Sequence, residues 1–150
     1  MAFCFIGDLL DAAEQVVTVE GNKKFEIIFE IAGASQPWPE IKEKYGTHRL
    51  LVECKNTDEP TDADFNKLER DMRALDVHVA FMAYRSAGRE PKGKTLEYQR
   101  GIYINSKKEN IIITLSDGFF LQSLDKKSKE KWRKNLNALW RDHMERWLPT

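Results

Sequence analysis

The stretch Leu50-Leu51-Val52-Glu53-Cys54-Lys55-Asn56 is an apolar strand that closes on an acid, a spacer and a base. Side chains alternate faces along a strand, so Leu51, Glu53 and Lys55 share one side while Leu50, Val52 and Cys54 take the other. A carboxylate and an ammonium therefore project together from the strand end. Burying charge is costly unless it is paired or holds a metal, which points to chemistry at the sheet edge. The tripeptide Glu-x-Lys is common by chance, and without context a solvated ion pair is the more economical reading.

The flanking sequence supplies the context. After Pro60, Thr61-Asp62-Ala63-Asp64 has the spacing of a capping box, with Asp in place of the usual Glu or Gln. A helix over 62–75 follows, with Phe65, Leu68, Met72 and Leu75 as its apolar stripe, and strand formers occupy 77–83. Strand, helix and strand make a βαβ crossover, expected to be parallel and right-handed. Upstream, Val16-Val17-Thr18-Val19, the turn residues Gly21-Asn22 and Phe25-Glu26-Ile27-Ile28-Phe29-Glu30-Ile31 predict a hairpin. In its second arm Phe25, Ile27, Phe29 and Ile31 line one face, and Glu26, Ile28 and Glu30 the other.

Ile6, Leu9, Leu10, Ala13 and Val17 recur at helical spacing and predict a first helix over 6–14. Residues 33–47 contain Gly33, Pro37, Pro39 and Gly46 and predict a long irregular connection. Such loops are often functional, so Trp38, Lys42, Lys44 and Arg49 could touch a ligand, though a plain surface insertion explains them equally well. Beyond the crossover, the pattern predicts a helix over 96–103, a buried strand over 111–115 and a C-terminal helix over about 125–148. Trp132, Leu136, Leu139, Trp140, Met144 and Trp147 form the stripe of that last helix, opposite a charged surface. So much aromatic surface predicts packing on the domain or dimerisation.

A chain of 150 residues is most simply one domain. Lys plus Arg and Asp plus Glu both number 24, so no global positive field attracts a polyanion, and any such partner must meet a local patch. Candidate patches are 42–49, 85–94 and 126–134, each equally explained as solvated surface. The start lacks a basic region ahead of its apolar residues and soon meets Asp8, Asp11 and Glu14, which argues against a signal peptide. No apolar run reaches membrane-spanning length. Two cysteines give no disulfide framework, and Cys54 reads as a reduced core thiol, so a cytoplasmic location is expected. His48, His78 and His143 are isolated, with no zinc-like spacing.

With Phe25-Glu26-Ile27-Ile28-Phe29 preceding Leu51-Val52-Glu53-Cys54-Lys55-Asn56, the element order resembles the PD-(D/E)xK nuclease superfamily, in its Mrr-like restriction-endonuclease branch. The resemblance covers roughly residues 6 to 115. It implies an α/β fold over 1–150: a restriction-endonuclease-like mixed β-sheet with an αβββαβ core, flanked by helices and followed by the C-terminal amphipathic helix. It implies a metal-dependent nuclease hydrolysing DNA phosphodiester bonds, with RNA not excluded as substrate. Glu26, Glu53 and Lys55 take the catalytic positions. Glu26, Glu53 and the backbone carbonyl of Cys54 take the metal, Mg²⁺ or Mn²⁺. Glu26 stands where the family usually has Asp, retaining the charge on a longer stem, and the Pro expected before that acid is missing. Glu30 is the second candidate for the first acid, and Asp11 or Glu14 could add an acid from the first helix. Lys55 would orient the attacking water and stabilise developing negative charge. A homodimer is the favoured assembly, since duplex cleavage requires two cuts. The alternative is a catalytically silent nuclease-fold domain that binds nucleic acid or a protein partner.

Overall fold

A computed structural model of the chain describes residues 12–18, 25–31, 36–46, 48–55, 59–85, 93–116 and 129–148. Five strands lie side by side in sequence order: β1 (Ala12–Thr18), β2 (Phe25–Ile31), β3 (Arg49–Cys54), β4 (Val79–Tyr84) and β5 (Ile111–Ser116). The first two junctions are antiparallel and the last two parallel. The helices are α1 (Trp38–Tyr45), α2 (Asp62–Leu75), α3 (Lys94–Asn105) and α4 (Lys129–Asp142), the last running into a π-helical turn at His143–Trp147. The sheet is thus mixed, and β3-α2-β4 forms the expected parallel crossover. No described helix is long and apolar enough to cross a membrane.

Period-2 alternation distributes the strands between two apolar layers. Phe29, Leu50, Val52, Phe81 and Ile113 point to the side covered by α1 and α4. Ile28, Leu51, Ala80, Met82 and Ile112 point to the side covered by α2 and α3. Every residue of the inner strand β4 is buried, as a strand covered on both faces requires. Among the described strands β5 is an edge, and α3 reaches it: Gln99, 1% exposed, donates from Nε2 to the Ile112 carbonyl at 2.7 Å.

Two expectations are corrected. Ala12–Thr18 is a strand, so the end of the expected first helix is extended, while 6–11 lie outside the described residues. The β-branched run at Val16-Val17 carries the extended form back through Ala12, where the ladder with β2 closes after an irregularity between Ala12 and Glu14. The connection over 33–47 contains α1. Its prolines are compatible with a helix start: Pro37 is the N-cap and Pro39 lies in the first turn, where no intrahelical N–H is needed. Gly46 ends it at φ +58°, a left-handed conformation that favours glycine. Trp38, Ile41 and Tyr45 are its buried stripe, and Trp38 meets Phe81 edge to face at 6.5 Å. Trp38 therefore serves the core.

The tail settles onto the sheet. Leu136, Leu139, Trp140 and Trp147 are buried in the α1-side layer, and Arg100 of α3 donates to the Trp147 carbonyl at 2.5 Å. For these four residues packing on the domain is thus the outcome, while the Trp132 side chain lies outside the described residues. The π turn closes with the Leu148 N–H donating to the His143 carbonyl at 2.9 Å.

His143 is fully buried in that turn, and its Nδ1 lies 2.9 Å from the Leu139 carbonyl. A carbonyl only accepts, so Nδ1 carries the proton, and Nε2 is a buried acceptor with no hydrogen-bond partner. Burial lowers the His143 pKa from 6.5 to about 4, against weaker opposing effects of the Leu139 carbonyl and Asp142. Between those values the unfolded chain binds more protons, so this contribution is complete above 6.5 and is lost as pH falls towards 4. The shift corresponds to about 3 kcal/mol at most. In urea unfolding at pH 7 and pH 4, the parent should lose about 2–3 kcal/mol more than His143→Asn. Equal losses would mean that another group drives the acid sensitivity.

Candidate active site

Glu53 is the next-to-last residue of β3 and, with a flanking strand on each side, is 1% exposed. Lys55 follows the strand end and is held in line with the sheet by its N–H, which donates to the Ala83 carbonyl at 2.7 Å. Alternation returns its side chain to the Glu53 side, and the ammonium lies 2.9 Å from Glu53 Oε1. The pairing read from the sequence is therefore present.

A third charged group enters from α2. Thr61 and Asp64 form the capping box: the Asp64 N–H donates to Thr61 Oγ1 at 3.3 Å, and the Thr61 N–H donates to Asp64 Oδ2 at 2.8 Å. That leaves Asp64 Oδ1, which lies 3.4 Å from the Lys55 ammonium. One ammonium is thus held between two carboxylates. Sequence reasoning assigned Asp64 only to the helix cap. The available signal was an acid in the first turn of the helix that directly follows Glu-x-Lys.

The electrostatics follow from that arrangement. Burial alone would lower the Lys55 pKa, but the Glu53 and Asp64 carboxylates outweigh it and raise it. Burial alone would raise that of Asp64, but the Thr61 N–H and the Lys55 charge hold it below its ordinary value. Although Lys55 is within hydrogen-bond distance of Glu53 Oε1, neither Glu53 oxygen has an aligned hydrogen-bond donor, so the contact is a close ion pair. Glu53 Oε2 is a buried anionic oxygen with no partner, a costly condition that a cation would relieve.

The ladder register sorts the other acids. Glu26 stands directly opposite Glu53, in a row that runs Thr18, Glu26, Glu53, Met82, Thr114 across the sheet. Only the backbone of Glu26 is described. Glu30 pairs with Arg49 at the other end of β3, about 13 Å along the strand from the Glu26 position, which removes it as a site acid. Glu14, opposite Glu30, is removed for the same reason, and Asp11 lies outside the described residues. Cys54 is half-buried, and burial, then the Glu53 charge, raise its thiol pKa to about 11, so its sulfur is a poor ligand and nucleophile. Arg49 donates to the Leu75 carbonyl at 3.2 Å, and the Lys44 ammonium lies 5.8 Å from the Tyr45 ring centroid. Of the basic patches, 86–92 and 126–128 lie outside the described residues.

Among the described residues, no three His, Cys, Asp or Glu side chains converge to hold a metal. Glu53 and Asp64 nonetheless fit a hard divalent cation through their carboxylate oxygens, and the unpartnered Glu53 Oε2 is the observation in favour. A polar cavity of about 470 Å³, lined by Arg73, Asp76, His78, Asn105, Lys107 and Asn110 among others, opens where β4 and β5 begin. It lies at the opposite end of the parallel strands from Glu53 and Lys55. Ligands of open α/β sheets bind at carboxyl ends, and the charged cluster rather than the cavity lies there.

No family model matches the chain, and no curated protein or solved structure shows significant similarity to it.

Proposed function

We propose that the protein is a metal-dependent nuclease that hydrolyses DNA phosphodiester bonds. The observation that carries this reading is the buried Glu53 carboxylate paired with Lys55 at the carboxyl end of β3, with Glu26 opposite in the ladder. Glu26, Glu53 and the Cys54 carbonyl would hold Mg²⁺ or Mn²⁺. Bound there, the cation would supply charge stabilisation to the phosphoryl group. Lys55 would orient the attacking water and stabilise negative charge as it develops.

Purified protein should nick plasmid or degrade single-stranded DNA with Mg²⁺ or Mn²⁺ and be silent in EDTA, with an RNA substrate run in parallel. Inactivity on every substrate with either ion would sink the enzymatic reading. The second reading, a silent nuclease-fold domain that binds nucleic acid or a protein partner, draws on Glu26 standing where the resemblance implies a shorter acid and on the balance of 24 basic and 24 acidic residues. Retention of DNA by an inactive protein would support it.

Glu26 is tested by charge removal at constant shape. Glu26→Gln should weaken calorimetric Mn²⁺ binding about tenfold or more and lower cleavage with it, because it removes one anionic ligand. Glu30→Gln should change neither appreciably, given its place at the far end of the strand. Equal Mn²⁺ binding by the parent and Glu26→Gln would show the first acid to be misassigned.

A further inference from the structure

Lys55 Nζ lies 2.9 Å from Glu53 and 3.4 Å from Asp64, so a single positive charge is shared by two carboxylates on different elements. The three groups differ in freedom. Glu53 is fixed in β3 at 1% exposure, and Asp64 is tied through Oδ2 to the Thr61 N–H. Lys55 is the mobile member: its side chain is 18% exposed and carries its charge on a flexible four-carbon stem. Independently of the cluster, Glu53 Oε2 is buried without a partner and belongs to the same carboxylate that faces the ammonium.

We propose that the Lys55 ammonium and a divalent cation compete for one carboxylate pair, Glu53 and Asp64, so that Asp64 is a metal-binding residue as well as a helix cap. With the lysine turned out, two carboxylates on fixed backbones face each other across a space that one ammonium now spans. Hard oxygens held in this way select Mg²⁺, Mn²⁺ or Ca²⁺ over softer ions. The lysine-in arrangement taxes metal affinity by the fraction of molecules that must first open. Release from Glu53 also frees the ammonium to face water, which joins metal entry to the proposed chemistry. This inference rests on the nuclease reading for its purpose but is read through metal binding.

The test is calorimetric titration of Mn²⁺ into the full-length parent, Lys55→Met and Lys55→Met/Asp64→Asn. Methionine keeps a flexible stem and removes the charge. If the lysine-in form dominates, Lys55→Met should bind about tenfold or more tightly than the parent. Adding Asp64→Asn should reverse the gain by about tenfold, since it removes an anionic ligand. Unchanged or weaker binding by Lys55→Met, or indifference to Asp64→Asn, would overturn the proposal. Should Lys55→Met fail to fold, reductive methylation of the parent gives a second readout by mass spectrometry. Mn²⁺ should accelerate labelling at Lys55 several-fold, and unchanged or slower labelling would overturn the competition. Cleavage by the parent with no gain in Lys55→Met affinity sinks the competition alone. Tight Mn²⁺ binding by Lys55→Met with no cleavage by the parent sinks the nuclease reading alone.

Discussion

Lys55→Ala is expected to lower metal-dependent DNA cleavage by about 10²- to 10⁴-fold, the usual worth of a group that positions and polarises the attacking water. The same change has a structural cost, because it leaves Glu53 buried at 1% exposure with no counter-charge. Removing one partner of a fully buried pair costs about 3–5 kcal/mol. The partial exposure of Lys55 reduces that here to about 1–3 kcal/mol. The two effects separate experimentally: circular dichroism and urea unfolding report the fold, and plasmid nicking well below the unfolding transition reports the chemistry. A variant that stays folded and cuts as fast as the parent would deprive the nuclease reading of its centre.

Trp140→Ala should destabilise the protein by about 3–5 kcal/mol, as expected when a buried aromatic side chain leaves a cavity. Trp140 is 1% exposed, meets Tyr45 edge to face at 6.0 Å and donates from Nε1 to Glu40 Oε2 at 3.3 Å. The loss is a large part of the roughly 5–15 kcal/mol that holds a domain of this size. Its site lies on the sheet face opposite Glu53, so cleavage by the fraction that remains folded should be nearly unchanged. A denaturant midpoint close to that of the parent would mean that the tail is not part of the core.

The sequence made legible those elements in which one period dominates. β3 and β4 are short apolar runs of strand formers, α2 is a single helical stripe bounded by Pro60 and a capping box, and their structure follows the reading closely. α1 was hidden because eight residues hold only three core positions, and its two prolines read as breakers unless their places at the helix start are known. Ala12–Thr18 was ambiguous because Ala13 and Val17 satisfy a four-residue spacing while Val16-Val17 favours extension, and pairing with β2 decided it. At the site, Glu53 and Lys55 were legible from strand alternation alone. Asp64 was not, since its contact with Lys55 depends on where the first turn of α2 meets the end of β3. Glu30 and Glu14 could be discarded only with the ladder register in hand.

The bond from Gln99 to the Ile112 carbonyl bears on how the molecule behaves in company. The Ile111 N–H donates to His78, beside β4, so the carbonyl of the next residue faces away from the sheet. An exposed row of such groups is a template on which foreign strands add, the usual beginning of edge-to-edge aggregation. By occupying that acceptor with a side chain from its own helix, and by binding Thr114 Oγ1 through its other end at 3.3 Å, Gln99 withholds the position from a neighbouring chain. A strand as apolar as Ile111-Ile112-Ile113 can thus lie at the margin of the described sheet with one point of self-association already closed.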